Sequence, residues 1–114
     1  MNKDFVQFTS YFKEYQKKFG LTGYKVYFKY EPIENGFASI TANQNDMVAT
    51  VRLNSDLPDK DKPHKDIKRS AKHEAIHLLL FRLEHRTIAR YVSEEEIYEA
   101  IEELVFKLED LIDG

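Results

Sequence analysis

The first part of the chain carries a stripe of aromatic residues at intervals of three and four. This spacing places the side chains on one face of an α-helix, where they can pack together against a core. Gly20 follows the stripe and is of a residue type that commonly ends helices. The pattern predicts an amphipathic helix over residues 2–19, whose buried face consists of Phe5, Phe8, Phe12, Tyr15 and Phe19.

Three shorter segments have the character of β-strands. Residues 24–30 are rich in aromatic residues, and residues 37–42 and 47–53 alternate apolar with polar positions. Both properties are typical of strands. The turn-forming dipeptide Asn35-Gly36 precedes the second segment, and polar residues 43–46 suit a hairpin connection between the second and the third. We therefore expect a three-stranded antiparallel sheet.

Two longer helices are predicted in the second half of the chain. The first covers residue 63 to about residue 83, with Pro63 in its first turn. Ser93 and Glu96 have the spacing of a capping box, which predicts that a last helix begins there and runs to about residue 112. The buried stripe of this last helix comprises Ile97, Ile101, Leu104, Val105, Leu108, Leu111 and Ile112.

The composition is that of a folded domain without cysteine. A chain of 114 residues, of which 42% are hydrophobic, suits one α+β domain over residues 1–114. The lack of cysteine excludes disulfides, thiolate metal ligands and a thiol nucleophile. The first residues show no signal-peptide pattern and no apolar run is long enough to span a bilayer, so we expect a cytoplasmic protein without membrane contact.

Charge is unevenly distributed, although the net charge is only −3. Residues 60–72 contain six basic and two acidic residues, whereas residues 94–114 contain nine acidic residues and one basic residue. Such runs are usually solvated helix faces. The basic run, which includes Lys65, Lys68 and Arg69, gives weak support to contact with nucleic acid or with an acidic partner.

Candidate chemistry is concentrated in His73-Glu74-Ala75-Ile76-His77, an H-E-x-x-H pattern on the first of the two longer helices. Residues four apart lie one above the other on a helix, so the two imidazoles can share one ion. In zinc hydrolases the adjacent glutamate takes a proton from the metal-bound water, whose pKa the ion has lowered. The pattern predicts a Zn²⁺ site with His73 and His77 as ligands and Glu74 as general base.

The residues around the pattern favour a bound metal. Apolar side chains surround the two histidines on nearly all sides, which predicts a helix that is buried almost all round. Two imidazoles and a carboxylate would cost several kcal/mol to bury there unless a partner satisfied them. A metal ion is such a partner. The apolar neighbours are Ala75, Ile76, Leu78, Leu79, Leu80 and Phe81.

A third protein ligand is expected, because catalytic zinc sites usually have three and keep the fourth position for water. The residue six positions after His77 is Leu83, which excludes the metzincin pattern, and His85 could reach the ion only if the helix broke first. On a projection of the last helix, Glu102 falls at the edge of the buried stripe. Glu94 projects further inward, but the helix dipole explains an acid in the first turn. The acids that point outward are Glu96, Glu99 and Glu103.

With H-E-A-I-H, an L-L-L-F continuation and a downstream E-A-I-E-E-L-V segment, the chain resembles the small phage and prophage zinc metallopeptidases. More distantly, it is similar to the SprT-like and ImmA/IrrE-like zincins. The resemblance implies a minimal zincin-like domain with an N-terminal helix, a three-stranded sheet, the H-E-x-x-H helix and an acidic C-terminal helix. It implies zinc bound by His73 and His77, with Glu74 as the base. The third ligand that it implies is Glu102, and Glu99 is the runner-up by similarity to an E-A-I segment of thermolysin-like enzymes.

The expected function is zinc-dependent hydrolysis of peptide bonds in a peptide or protein substrate. Strand 47–53 is the expected sheet edge along which an extended substrate would pair. The alternative is a non-catalytic, zinc-stabilised module of phage origin that binds protein or nucleic acid. Neither the substrate nor the oligomeric state follows from the sequence. An oxyanion stabiliser is also required, and its candidates are His85, Arg90, Tyr91 and Tyr98.

Overall fold

The computed structural model describes residues 2–43, 45–86 and 93–112, and the side chains of all of these except residues 82–86. In this part of the chain, three helices and a three-stranded sheet form a small α+β fold, which confirms the predicted class. No helix within these ranges has the length and apolar character needed to cross a membrane. The elements are α1 (Lys3–Lys18), β1 (Lys25–Glu31), β2 (Ala38–Asn43), β3 (Val48–Asn54), α2 (Ile67–Arg86) and α3 (Glu94–Leu111).

The sheet is mixed, and the prediction that it is wholly antiparallel is wrong. Its strand order is β1-β3-β2, with β3 antiparallel to β2 and parallel to β1. The chain reverses direction twice, so β1 and β3 point the same way, and placing β3 in the middle makes them parallel neighbours. The burial of β3 accounts for this order. Ala49, Val51 and Leu53 alternate along β3 and are at most 4% exposed, which only a central strand covered by helices provides.

The connection from β1 to β2 passes the end of β3, where Asn54 holds it. The Asn54 side chain is 7% exposed. Its Oδ1 accepts hydrogen bonds from the backbone N–H of Ile33 at 3.2 Å and of Asp56 at 2.9 Å, and its Nδ2 donates to the carbonyl of Gly36 at 2.9 Å. One buried amide therefore satisfies backbone groups of two loops, the β1–β2 connection and the segment that follows β3.

The larger hydrophobic core lies between the sheet and the helices α1 and α2. Phe8 and Phe12 of α1 are fully buried, as the aromatic stripe predicts, and they share this core with Val51 of β3. On α2, Ala71 and Ala75 are also fully buried. Small side chains at these positions let α2 approach the sheet closely, which fixes where the side chains on its other faces lie.

A second core joins α2 to α3. Ile76 is fully buried and packs with three residues of α3, namely Ile97, Ile101 and Val105. The three α3 residues belong to the stripe predicted for that helix, whereas Leu104 and Leu111 of the same predicted stripe are exposed. The prediction that α2 is buried almost all round is too strong, because Leu79 is 39% exposed.

Side-chain caps start α1 and α3. Asn2 Oδ1 accepts a hydrogen bond from the backbone N–H of Phe5 at 3.1 Å, and Ser93 Oγ accepts one from Glu96 at 3.1 Å. Each contact satisfies an N–H group that has no partner within its own helix. The capping box predicted from Ser93 and Glu96 therefore marks the start of α3 correctly.

The helix α2 begins later than predicted. Asp66 Oδ1 accepts a hydrogen bond from the backbone N–H of Arg69 at 3.0 Å, so Asp66 caps a helix that starts at Ile67. Pro63 lies in a separate 3₁₀ turn, Lys62–His64. The placement of Pro63 in the first turn of α2 was therefore wrong. The reason is the extended backbone of Lys65 (φ −66°, ψ 126°), which interrupts the helical path between the two elements.

Candidate metal centre

Three side chains occur at intervals of four residues on α2, and their order is Arg69, His73 and His77. Because a helix turns once in about 3.6 residues, they lie one above the other on the same face. The Nε2 atoms of the two histidines are 3.2 Å apart, and their ring centroids are 4.9 Å apart. The two imidazoles therefore present one nitrogen each to the same small volume.

Glu102 reaches this volume from α3. Its Oε2 lies 3.7 Å from His73 Nε2, and its Oε1 lies against His77 Nε2. Donor atoms of the three residues all lie within 4.8 Å of one another, so the group could hold a metal ion. The three side chains are between 13% and 20% exposed, which leaves the group accessible from one side.

The Oε1 atom of Glu102 is incompletely satisfied. It is buried, and its contact with His77 lacks hydrogen-bond geometry, so within the described part of the chain it has no hydrogen-bond partner. A buried carboxylate oxygen without a partner is costly. A cation between Glu102, His73 and His77 would remove that cost.

Glu109 contacts the far side of the His73 ring. Its Oε2 lies 2.5 Å from His73 Nδ1, and its Oε1 forms an ion pair with Arg69 Nε at 2.9 Å. Glu109 is 2% exposed, although it lies on a helix with many solvated acids. Arg69 also donates from Nη2 to Asp110 Oδ1 at 2.9 Å. The two helices are thus joined by a chain of charged contacts that ends at His73.

Sequence reasoning missed Glu109, although a signal for it was present. Glu109 lies seven residues after Glu102, which is close to two helical turns, so the two acids share one face of α3. The projection that selects Glu102 places Glu109 at nearly the same angle. The projection does not show which residues Glu109 contacts, because only the packing of α3 against α2 brings it to His73 and Arg69.

Glu74 is buried beside the two histidines. It is 6% exposed, and its pKa is raised to about 8, chiefly by desolvation through burial and further by the nearby carboxylates of Glu102 and Glu109. Several ionised acids clustered in a buried place are unfavourable unless a positive charge is close. A cation bound between these side chains would favour the ionised form of Glu74.

A cleft of about 890 Å³ exposes the group to solvent. Its lining includes residues 38–42 of strand β2 (Ala38–Asn43), and also His73, Glu74 and Glu102. The expectation that strand 47–53 provides the accessible sheet edge is wrong, because that segment is β3, which is paired on both sides. The strand that borders the cleft is β2, and in the described part of the chain it pairs with β3 alone.

The remaining sequence candidates divide into three sets. The other acids considered as ligands are exposed and lie outside the group of metal-binding geometry, and they are Glu94, Glu96, Glu99 and Glu103. Of the four oxyanion candidates, Tyr98 lines the cleft and is 55% exposed. The side chain of His85, together with Arg90 and Tyr91, lies outside the described residues.

The group fits a divalent transition metal. Two imidazole nitrogens and one carboxylate oxygen are the donor set of several catalytic zinc sites, and three protein ligands leave a coordination position for water or substrate. The buried oxygen of Glu102 lacks the hydrogen bond that a purely polar cluster would provide. The contact of His73 Nδ1 with a carboxylate is typical of metal-binding histidines.

We compared the chain with known proteins at three levels. No protein-family model matches it, and no curated protein or solved structure is significantly similar to it. The resemblance to the small phage metallopeptidases therefore stays a prediction from the motif residues.

Proposed function

We propose that this protein is a zinc-dependent metallopeptidase in which His73, His77 and Glu102 hold the ion. The observation that carries the proposal is the convergence of donor atoms from these three residues within 4.8 Å, at the wall of a cleft and beside the buried Glu74. A structural metal site usually encloses its ion with four protein ligands. Three ligands at a solvent-accessible wall favour a catalytic site.

The choice of zinc follows from the donors. A set with two imidazoles suits zinc and other first-row transition metals better than Mg²⁺ or Ca²⁺, which prefer oxygen ligands. Zinc, when bound, acts as a Lewis acid that lowers the pKa of a water molecule and polarises a carbonyl group.

Glu74 is the proposed general base. It precedes Ala75 on the buried side of α2 and lines the cleft together with His73 and His77. Its carboxylate would accept a proton from the attacking water and deliver that proton to the leaving amine. Because Glu74 is buried, its carboxyl group is held in one place, and bulk water is kept away from the proton that it transfers.

The proposed substrate is an extended peptide segment. In the described part of the chain, strand β2 has an edge that is not paired with β3, and β2 lines the same cleft as the two histidines. An extended peptide can add to such an edge through backbone hydrogen bonds, which do not depend on its side chains. Tyr98 lines the same cleft and is our candidate for stabilising the oxyanion.

The alternative of nucleic-acid binding has less support. Lys65 Nζ contacts Asp4 Oδ2 at 2.5 Å, and Arg69 contacts Glu109 and Asp110 at 2.9 Å each. The basic run is therefore partly neutralised by acids of the same chain. A surface that binds phosphates keeps its cations available.

The proposal is tested by combining metal content with cleavage. Purified wild-type protein is expected to hold about one equivalent of zinc and to cleave a fluorescently labelled unfolded protein. Glu74→Gln should retain the zinc and lose cleavage by a factor of at least about 100, because one general base contributes roughly 10²–10⁴-fold. Glu99→Gln, an exposed acid on α3, is the matched control and should retain both.

Two results would contradict the proposal. Wild-type protein that holds zinc without cleaving any unfolded substrate would favour a zinc-stabilised binding module. Equal cleavage by wild type and by Glu74→Gln would show that the activity comes from a contaminant or from another site.

A further inference from the structure

We propose that Glu109 is a positioning residue for the metal ligand His73 and that Arg69 holds it in place. The inference rests on the proposed metal site and adds two residues that the H-E-x-x-H pattern does not contain. It starts from the two polar contacts of the buried Glu109 carboxylate. Glu109 Oε2 lies 2.5 Å from His73 Nδ1, and Glu109 Oε1 lies 2.9 Å from Arg69 Nε.

The contact with Glu109 decides which nitrogen of His73 can bind a metal. A carboxylate oxygen accepts hydrogen bonds, so the short contact requires that His73 Nδ1 carries the hydrogen and donates it. In a neutral imidazole the other nitrogen then has a free electron pair. That nitrogen is Nε2, the atom that lies 3.2 Å from His77 Nε2 and 3.7 Å from Glu102 Oε2. Glu109 therefore turns the electron pair of His73 toward the metal position.

Burial indicates that packing alone does not explain an acid at position 109. The Glu109 side chain is 1% exposed, whereas that of Arg69 is 49% exposed, so the pair is solvated on one side only. An apolar side chain of similar volume is often as stable as a buried ion pair, or more so. An acid is useful here because it accepts a hydrogen bond from a ligand, and such outer contacts typically change metal affinity by roughly 10–100-fold.

Arg69 and Asp110 complete the arrangement. Arg69 Nε forms an ion pair with Glu109 Oε1 at 2.9 Å, while its Nη2 donates to Asp110 Oδ1 at 2.9 Å. The guanidinium is thus held by two acids, and it keeps Glu109 oriented toward His73 instead of toward solvent. Glu103 of α3 is 68% exposed, pairs with Lys107 and lies outside this arrangement, which makes it a natural control.

The test compares Glu109→Leu, Glu109→Gln and Glu103→Gln with wild type. Zn²⁺ affinity is measured by competition with a chromophoric chelator, and folding is followed by thermal melting. Glu109→Leu fills the space but removes the acceptor, so we expect a similar melting temperature without metal and a zinc affinity lower by about 10–100-fold. The zinc affinity of Glu109→Gln should also fall, whereas Glu103→Gln should bind zinc within about twofold of wild type.

A second measurement does not need metal. In metal-free wild-type protein, ¹H–¹⁵N correlation spectra of the imidazoles should show His73 as the Nδ1–H tautomer, and in Glu109→Leu a substantial fraction should become Nε2–H. A purely structural role for Glu109 would leave the tautomer unchanged. If Glu109→Leu fails to fold, Arg69→Gln replaces it, and its zinc affinity should fall several-fold.

The outcomes separate this inference from the proposed function. Variants of Glu109 that bind zinc as tightly as wild type, or that keep the His73 tautomer, would overturn it even if the protein cleaves peptides. Weaker zinc binding with the expected tautomer change would support it even if no substrate is cleaved. A wild-type protein without measurable zinc affinity would overturn both.

Discussion

The Nε2 atoms of His73 and His77 lie 3.2 Å apart on successive turns of α2. The His73 hydrogen is directed to Glu109 through Nδ1, so His73 Nε2 presents an electron pair to His77. Without a metal, His77 Nε2–H can donate to this electron pair. A cation at this place would instead receive electron pairs from both rings and from Glu102.

The first prediction concerns the two histidines. Saturating Zn²⁺ should stabilise wild-type protein by about 2.7 kcal/mol at a free concentration 100 times the dissociation constant. His73→Ala and His77→Ala should each remove this stabilisation, because each takes away one of three ligands. Thermal melting with and without Zn²⁺ measures the effect. His64→Ala, an exposed histidine outside the group, is the control.

The second prediction separates two glutamates of α3. Glu102 lies in the group of metal-binding geometry, whereas Glu99 is exposed and lies outside it. Glu102→Gln should lower zinc affinity by at least about tenfold, which corresponds to about 1.4 kcal/mol. Glu99→Gln should leave it unchanged in the same chelator competition. Reversed results would identify Glu99 as the ligand.

The third prediction is a pH dependence of the metal-free protein. Burial raises the Glu74 pKa to about 8 in the folded chain from 4.5, so the folded state holds this proton more tightly than the unfolded state. Protonated Glu74 therefore contributes its full stabilisation of the folded state below pH 4.5, the pKa in the unfolded chain. This contribution is lost as the pH rises to about 8. Because one proton is involved, the free energy of unfolding should fall by up to about 1.4 kcal/mol per pH unit in this range.

Urea unfolding with a chelator present, at several pH values in that window, measures this slope. Glu74→Gln cannot titrate, so its stability should change less with pH than that of wild type. The exposed Glu99→Gln should keep the wild-type slope. Parallel pH profiles for Glu74→Gln and wild type would show that Glu74 is ionised in the folded chain throughout the window.

The fourth prediction concerns the contact between α2 and α3. Ile76 is fully buried and packs against Ile97, Ile101 and Val105. Ile76→Ala should lower the free energy of unfolding by roughly 2–5 kcal/mol. Because this core holds Glu102 against the histidines, zinc affinity should fall as well. Leu79→Ala on the 39% exposed side of α2 should cost less than about 1 kcal/mol and leave zinc affinity unchanged.

Local sequence patterns predicted the helices and strands well. The aromatic stripe of α1 and the capping box at Ser93 are local patterns, because each depends on residues three or four positions apart. The alignment of His73 with His77 has the same local origin, since a spacing of four places them together on any helix. The helical projection places Glu102 at the edge of the apolar stripe of α3. Its selection as a ligand required one further assumption, namely that this stripe packs against α2.

Contacts between distant elements were beyond such reasoning. The strand order β1-β3-β2 depends on which strand the helices cover, and alternation along a strand does not give its neighbours. The prediction placed residues 47–53 at the sheet edge beside the substrate. In the structure the edge strand that lines the cleft is β2, Ala38–Asn43.

The sequence by itself determined the amphipathic helices, the pair of imidazoles on one face of α2 and the small set of acids that could join them. Only the tertiary structure decided that Glu102 faces the histidines, that Glu109 contacts the other nitrogen of His73, and that β2 lines the cleft. The reason is physical. Helical periodicity is a property of consecutive peptide units, whereas the choice of partner depends on how the buried faces of α1, α2, α3 and the sheet fit together.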